Sequence, residues 1–238
     1  MPPNSKTALF RELGRRFRAC VWLKTFGIPG FMALFFLGYF LILNFPFFEV
    51  SVMPLTALDR FIPYQGGDWL LYVSLWIYVQ LPPSFIDNRR ELVRYGWMAA
   101  LVSLVGFAIF MLWPTAIPAV AIDGADSSFA GIRNLDTTGN SCPSLHVAFA
   151  VFTAVWIERF FRRWGGAILI RWINIIWCIG IVYSTLGTKQ HVFIDAVAGL
   201  ALGLFGAAVQ ARFEANKPLL LIEEAPTLAQ ISPAARKL

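Results

Sequence analysis

Six stretches of this chain approach the roughly 20 residues that a helix needs to cross a hydrocarbon core. They are 26–45, 69–86, 95–113, 143–161, 166–188 and 191–212. Lipid offers backbone N–H and C=O groups no partners, so a run of this length must satisfy them within itself, as a helix. The composition agrees: 58% of the residues are hydrophobic and 14% charged, against about 25% charged in a soluble domain. The expected fold class is therefore all-α, an integral membrane bundle of six transmembrane helices. The first and third stretches are unbroken, and the second is short. The fourth and sixth carry His146, Glu158, His191 and Asp195, all near stretch ends, where polar groups cost least. The basic N-terminal region runs directly into a full-length span, so no cleavable signal peptide is expected.

Charge fixes the expected orientation. With the N-terminus inside, seventeen of the twenty Lys and Arg residues fall on the cytoplasmic side, and only Arg60, Arg133 and Lys189 fall outside. That is a strong positive-inside bias. It accounts for the net charge of +6 without invoking nucleic acid. Residues 6–25 interleave Arg and Lys with Leu9, Phe10, Leu13, Phe17, Val21 and Trp22, a basic amphipathic pattern suited to an anionic inner leaflet. The expected organisation is an interfacial segment over 1–25, a six-helix transmembrane domain over 26–212 and a cytoplasmic tail over 213–238. Residues 114–142 form the longest outer loop. Gly199 and Gly203 stand four apart in the last stretch and read as a face for close helix packing. Cys20, Cys142 and Cys178 fall in different places, so no disulfide is expected.

Only two histidines occur, His146 and His191. His191 precedes Asp195 by four residues, a spacing that shares one face of a helix. A carboxylate on one imidazole nitrogen fixes the tautomer and leaves the other nitrogen free to act as nucleophile or base. His146 follows Pro143 and Ser144. Proline suits the first position of a helix, and the N–H groups and dipole of a helix start bind phosphate. There His146 could protonate a leaving oxygen.

These stretches together resemble the type 2 phosphatidic acid phosphatase superfamily. That family carries a Lys-x6-Arg-Pro stretch, a Pro-Ser-Gly-His stretch and a Ser-Arg-x5-His-x3-Asp stretch. The second is matched by Pro143, Ser144 and His146, with Leu145 at the glycine position. The third is matched by Ser184, His191 and Asp195, with Thr185 at the arginine position. The first stretch is missing: 110–119 holds no cation. The pattern is similar to the divergent branch that includes inositol phosphorylceramide synthases and related bacterial proteins. The resemblance implies that His191 attacks phosphorus, supported by Asp195, to form a phosphohistidine. His146 then serves as acid on the leaving alcohol and as base on water or an acceptor alcohol. Ser144 and Ser184 would bind phosphate. Lys189 is the first choice for the cation that replaces the absent motif, and Arg133 is the second.

The implied activity is a metal-independent lipid phosphatase, with no cofactor, acting on a phospholipid or on a polyprenyl or sphingolipid phosphate. Its location would be the bacterial inner (plasma) membrane, with the site on the outer side and both termini cytoplasmic. A headgroup phosphotransferase would use the same histidines, and the missing cationic motif tilts slightly towards it. A non-enzymatic transporter, with His146, His191 and Asp195 as a polar gate, is the reading from another class. Asp136-Thr137-Thr138-Gly139 has no second copy to complete an aspartyl protease.

Overall fold

The computed structural model describes residues 5–118, 139–163 and 168–215. It is mostly helical. Helix α1 (Ser5–Arg18) ends where Cys20 takes a left-handed φ of 54°. The chain then turns into α2 (Val21–Asn44). The expected single interfacial helix over 6–25 is thus divided, and its last residues belong to the first long apolar helix. The basic residues at this junction are spent on the protein itself. Arg16 donates to Glu12, Asp87 and the Phe85 carbonyl, and Lys24 donates to the carbonyls of Arg16 and Ser84. These bonds tie the N-terminal end of α2 to residues 84–87.

The second apolar stretch is broken into α4 (Trp69–Val73), α5 (Leu75–Tyr78) and α6 (Leu81–Phe85), after a short α3 (Ala57–Phe61) and a 3-10 turn at Gly66–Asp68. The local chemistry explains the breaks. The Ser74 hydroxyl bonds back to the Leu71 carbonyl, a side-chain competitor for the helix ladder. Pro82 and Pro83 lack the amide hydrogens that would continue α5 into α6. Helix α7 (Arg89–Leu112) starts at Asn88, whose side chain accepts from the Arg90 amide at 2.8 Å.

Two short strands form a small cap that hydropathy does not signal. Strand β1 (Ser51–Val52) pairs in parallel with β2 (Thr115–Ala116). Thr115 also bridges to Asn140. The remaining helices are α8 (Leu145–Arg163), α9 (Ile168–Gly187) and α10 (Phe193–Ala215). Among the described residues, α2, α7, α9 and α10 are long and apolar enough to cross a membrane. Helix α8 sits among the others, with Val147, Ala148, Ala150 and Phe152 fully buried. Near its C-terminal end Glu158 is paired by Arg171 of α9, which donates to it at 2.9 Å.

Helices α8 and α10 meet along the small-residue face. A Cβ on Gly199 would lie 2.4 Å from the Ser144 carbonyl oxygen, and one on Gly203 would lie 2.5 Å from the Ala148 carbonyl oxygen. Both obstacles are backbone and cannot rotate away. Gly199→Ala and Gly203→Ala should therefore each destabilise the protein by about 1–3 kcal/mol, the range for overpacking, read as a lower melting temperature in detergent. Gly96→Ala, with no neighbour within 4 Å, should be neutral or stabilising. Equal behaviour of the three variants would contradict this packing.

Candidate active site

Asp195 is fully buried in the first turn of α10. Val192 is the N-cap of that helix, since its carbonyl accepts the first helical bond, from Ala196. Asp195 Oδ2 in turn accepts the Val192 amide at 3.1 Å, the reciprocal half of a capping box. The same oxygen accepts the Ser141 hydroxyl at 2.5 Å. It stands 3.6 Å from His191 Nδ1, near enough for an ion pair and long for a hydrogen bond. The backbone carbonyl of Asp195 accepts the Ser144 amide at 3.0 Å. One residue thus joins the start of α10 to the start of α8.

His191 lies just before α10 rather than within it, so its pairing with Asp195 is made by a turn and not by a shared helical face. Its backbone is held from α9: the Thr185 carbonyl accepts the amides of both Gln190 and His191 at 3.1 Å. Since Nδ1 faces Asp195, Nε2 is the nitrogen left for chemistry.

His146 lies in the first turn of α8. Its Nε2 is 2.9 Å from the Tyr72 carbonyl oxygen. A carbonyl can only accept, so Nε2 carries the proton. The imidazole stacks on the Tyr72 ring at 3.9 Å and 13°, and Trp76 meets it edge-on. The broken second stretch therefore supplies both the partner and the platform for this histidine.

The other expected residues take varied places. Helix α8 begins at Leu145, with Ser144 rather than Pro143 at its start. The Ser144 side chain accepts the Val147 amide at 3.2 Å and is fully buried. The Ser184 hydroxyl is fully buried and donates to the Ile181 carbonyl at 2.7 Å. Lys189 has a left-handed φ of 55°. Its ammonium donates to the carbonyls of Asp59, at 2.9 Å, and Ile62. Burial pushes the Lys189 pKa down, opposed by the nearby Asp59 charge. A void of about 10 Å³, lined by Asp59, Lys189, His191 and Val192 among others, has room for about one water. Asp59 also accepts the Phe193 amide at 2.7 Å, which satisfies another donor at the start of α10. Arg133 lies outside the described residues. Burial pushes the Cys142 thiol up to about 12, so it is no nucleophile near neutral pH.

A cavity of about 280 Å³ runs between α2, the broken stretch, α7 and α8. Its walls are largely apolar and aromatic, with Phe31, Phe35, Trp76 and Phe149 among them. His146, His191 and Asn140 line it together, while Leu23 and Gly27 line the part near the N-terminal end of α2.

Ser141 is one of the residues that sequence reasoning missed. Nothing in its spacing points to Asp195, 54 positions away. Removing it leaves a buried carboxylate oxygen short of a donor. Ser141→Ala should therefore cost about 1.5–3 kcal/mol of stability, the scale for a hydrogen bond to a charged group, and Ser141→Thr should recover most of it. Thermal unfolding of the three proteins checks this, and an alanine variant as stable as wild type would contradict it.

No curated protein and no solved structure matches the chain. A family model does, over residues 64–209. The match spans more than half of the chain and takes in α4 to α8, α9, most of α10 and all three of His146, His191 and Asp195. By that match, with His146 and His191 lining one apolar cavity and Asp195 beside His191, the chain belongs to the PAP2 superfamily.

Proposed function

We propose that the protein is a membrane-embedded lipid phosphatase that works through a phosphohistidine intermediate. One observation carries this reading: His146 and His191 line the same end of a long apolar cavity. A lipid tail in that cavity leaves its phosphoester beside both imidazoles. Membership of the superfamily supports phosphatase or phosphotransferase chemistry.

His191 Nε2 attacks phosphorus while Asp195, steadied by Ser141, stabilises the positive charge that grows on the ring. The P–O bond to the lipid alcohol breaks, and the alkoxide takes a proton from His146. Neutral His146 then removes a proton from water as it attacks the phosphohistidine, which releases phosphate and restores both histidines. No Lys or Arg among the described residues lines the apolar cavity. Lys189, with two of its three N–H groups on carbonyls, is the cation proposed to meet the phosphoryl oxygens beside His191, and Arg133 is the second. Ser144, at the start of α8, and Ser184, in the last turn of α9, are the further hydroxyls assigned to phosphate in this reading. The positive-inside pattern supports a site at the outer face with both termini cytoplasmic, and the proposed location is a bacterial inner membrane. An acceptor alcohol in place of water would make the same site a headgroup phosphotransferase of the divergent branch.

The acid role of His146 is testable by varying the leaving group. His146→Ala should lose turnover of a lipid phosphate by about 10²–10⁴-fold, the usual share of general acid–base catalysis. It should lose far less with a p-nitrophenyl ester, whose leaving group needs no proton. His191→Ala should abolish both. Equal losses of His146→Ala on the two substrates would assign this histidine to phosphate positioning instead.

A further inference from the structure

Asn140 sits at the reactive end of the apolar cavity with 2% of its surface exposed. Its place is set by the small cap: Thr115 bridges to it, and the flanking amide of Ser141 donates to the Thr115 carbonyl. The side chain is oriented from α2, where its Nδ2 donates to the Tyr39 carbonyl at 3.0 Å. That contact decides which way the amide points, because only the NH₂ end can face a carbonyl oxygen. The remaining atom is Oδ1. It is buried and has no hydrogen-bond partner.

A buried carbonyl oxygen without a donor is costly, and such groups in folded proteins call for an explanation. Leu145, Phe149, Trp76 and the two histidines line the cavity together with Asn140, and none of them donates to Oδ1. His146 Nε2 is already committed to Tyr72. An acceptor at this position repels phosphoryl oxygens, so its complement is an N–H or O–H group. It stands where the lipid's first polar atoms beyond the phosphoester would lie.

We propose that Asn140 is a specificity residue, whose carboxamide oxygen accepts a hydrogen bond from a hydroxyl or amide N–H that the bound lipid carries next to its phosphoester. This rests on the lipid-phosphoester reading of the cavity. A site with a buried hydrogen-bonding group discriminates against the analogue that lacks the matching group, because the protein atom is then left unpaired. The same donor could come from an acceptor alcohol.

The test uses the purified full chain in mixed micelles with two matched substrates. One is a 1-acylglycerol 3-phosphate with a free 2-hydroxyl, and the other is its 2-O-methyl ether. The wild type should favour the hydroxyl substrate by at least about tenfold in kcat/KM. Asn140→Leu should bring the ratio to within about twofold while still turning over the ether. A second arm adds glycerol and measures transfer against hydrolysis. Equal handling of the two lipids, with a transfer fraction that falls at least about tenfold in Asn140→Leu, would locate the donor on the acceptor. Equal handling with no effect of the variant on transfer would overturn the proposal, as would a preference that survives in Asn140→Leu. Wild type that turns over neither lipid, like His191→Ala, would instead remove the lipid-phosphoester reading itself, and the role of Asn140 with it.

Discussion

A single buried carboxylate organises the reactive end of this protein. Asp195 has no exposed surface, and its Oδ2 gathers the Ser141 hydroxyl, the Val192 amide and the edge of His191. Burying an ion is expensive unless hydrogen bonds compensate it. The compensation is what fastens α10 to the segment before α8. Through its backbone, the same residue holds the first amide ahead of α8. The loose 3.6 Å approach of His191 suits a group whose bond to Asp195 tightens as its ring gains charge, since catalytic hydrogen bonds are often long before substrate binds.

That arrangement depends on two helix starts lying side by side. Gly199 and Gly203 permit it by letting α10 touch the backbone of α8. In lipid, where apolar surface gives helices little reason to associate, such close contact supplies the packing energy. A second set of contacts positions the loop before α10. Asp59 takes the Phe193 amide, while Lys189 reaches back to the carbonyls of Asp59 and Ile62. Helix α3 and the His191 loop therefore brace each other.

Much of this was legible in the sequence, and the reasons are physical. Long apolar runs state their own structure, because lipid leaves the backbone no choice but a helix; α2, α7, α9 and α10 fall where the runs do. His146, His191 and Asp195 stood out because the chain has only two histidines and few charges within its apolar stretches. The second stretch misled, since hydropathy does not register how Ser74, Pro82 and Pro83 interrupt a helix ladder. The β1–β2 pair is too short for any period to show. Ser141 and Asn140 were invisible because their partners, Asp195 and Tyr39, are distant in sequence and near only in the fold. Lys189 was chosen for its charge, but its left-handed backbone turns the ammonium onto two carbonyls.

The account stands on covalent catalysis at His191, and trapping the intermediate tests it most directly. Purified protein should be mixed with a ³²P-labelled lipid phosphate, quenched within milliseconds to seconds in alkali and mapped by peptide. The expected result is one acid-labile, alkali-stable label on His191, absent in His191→Ala and accumulating when attack by water is slowed. Turnover of the labelled lipid with no label on His191 at any time, or undiminished turnover in His191→Ala, would contradict the account.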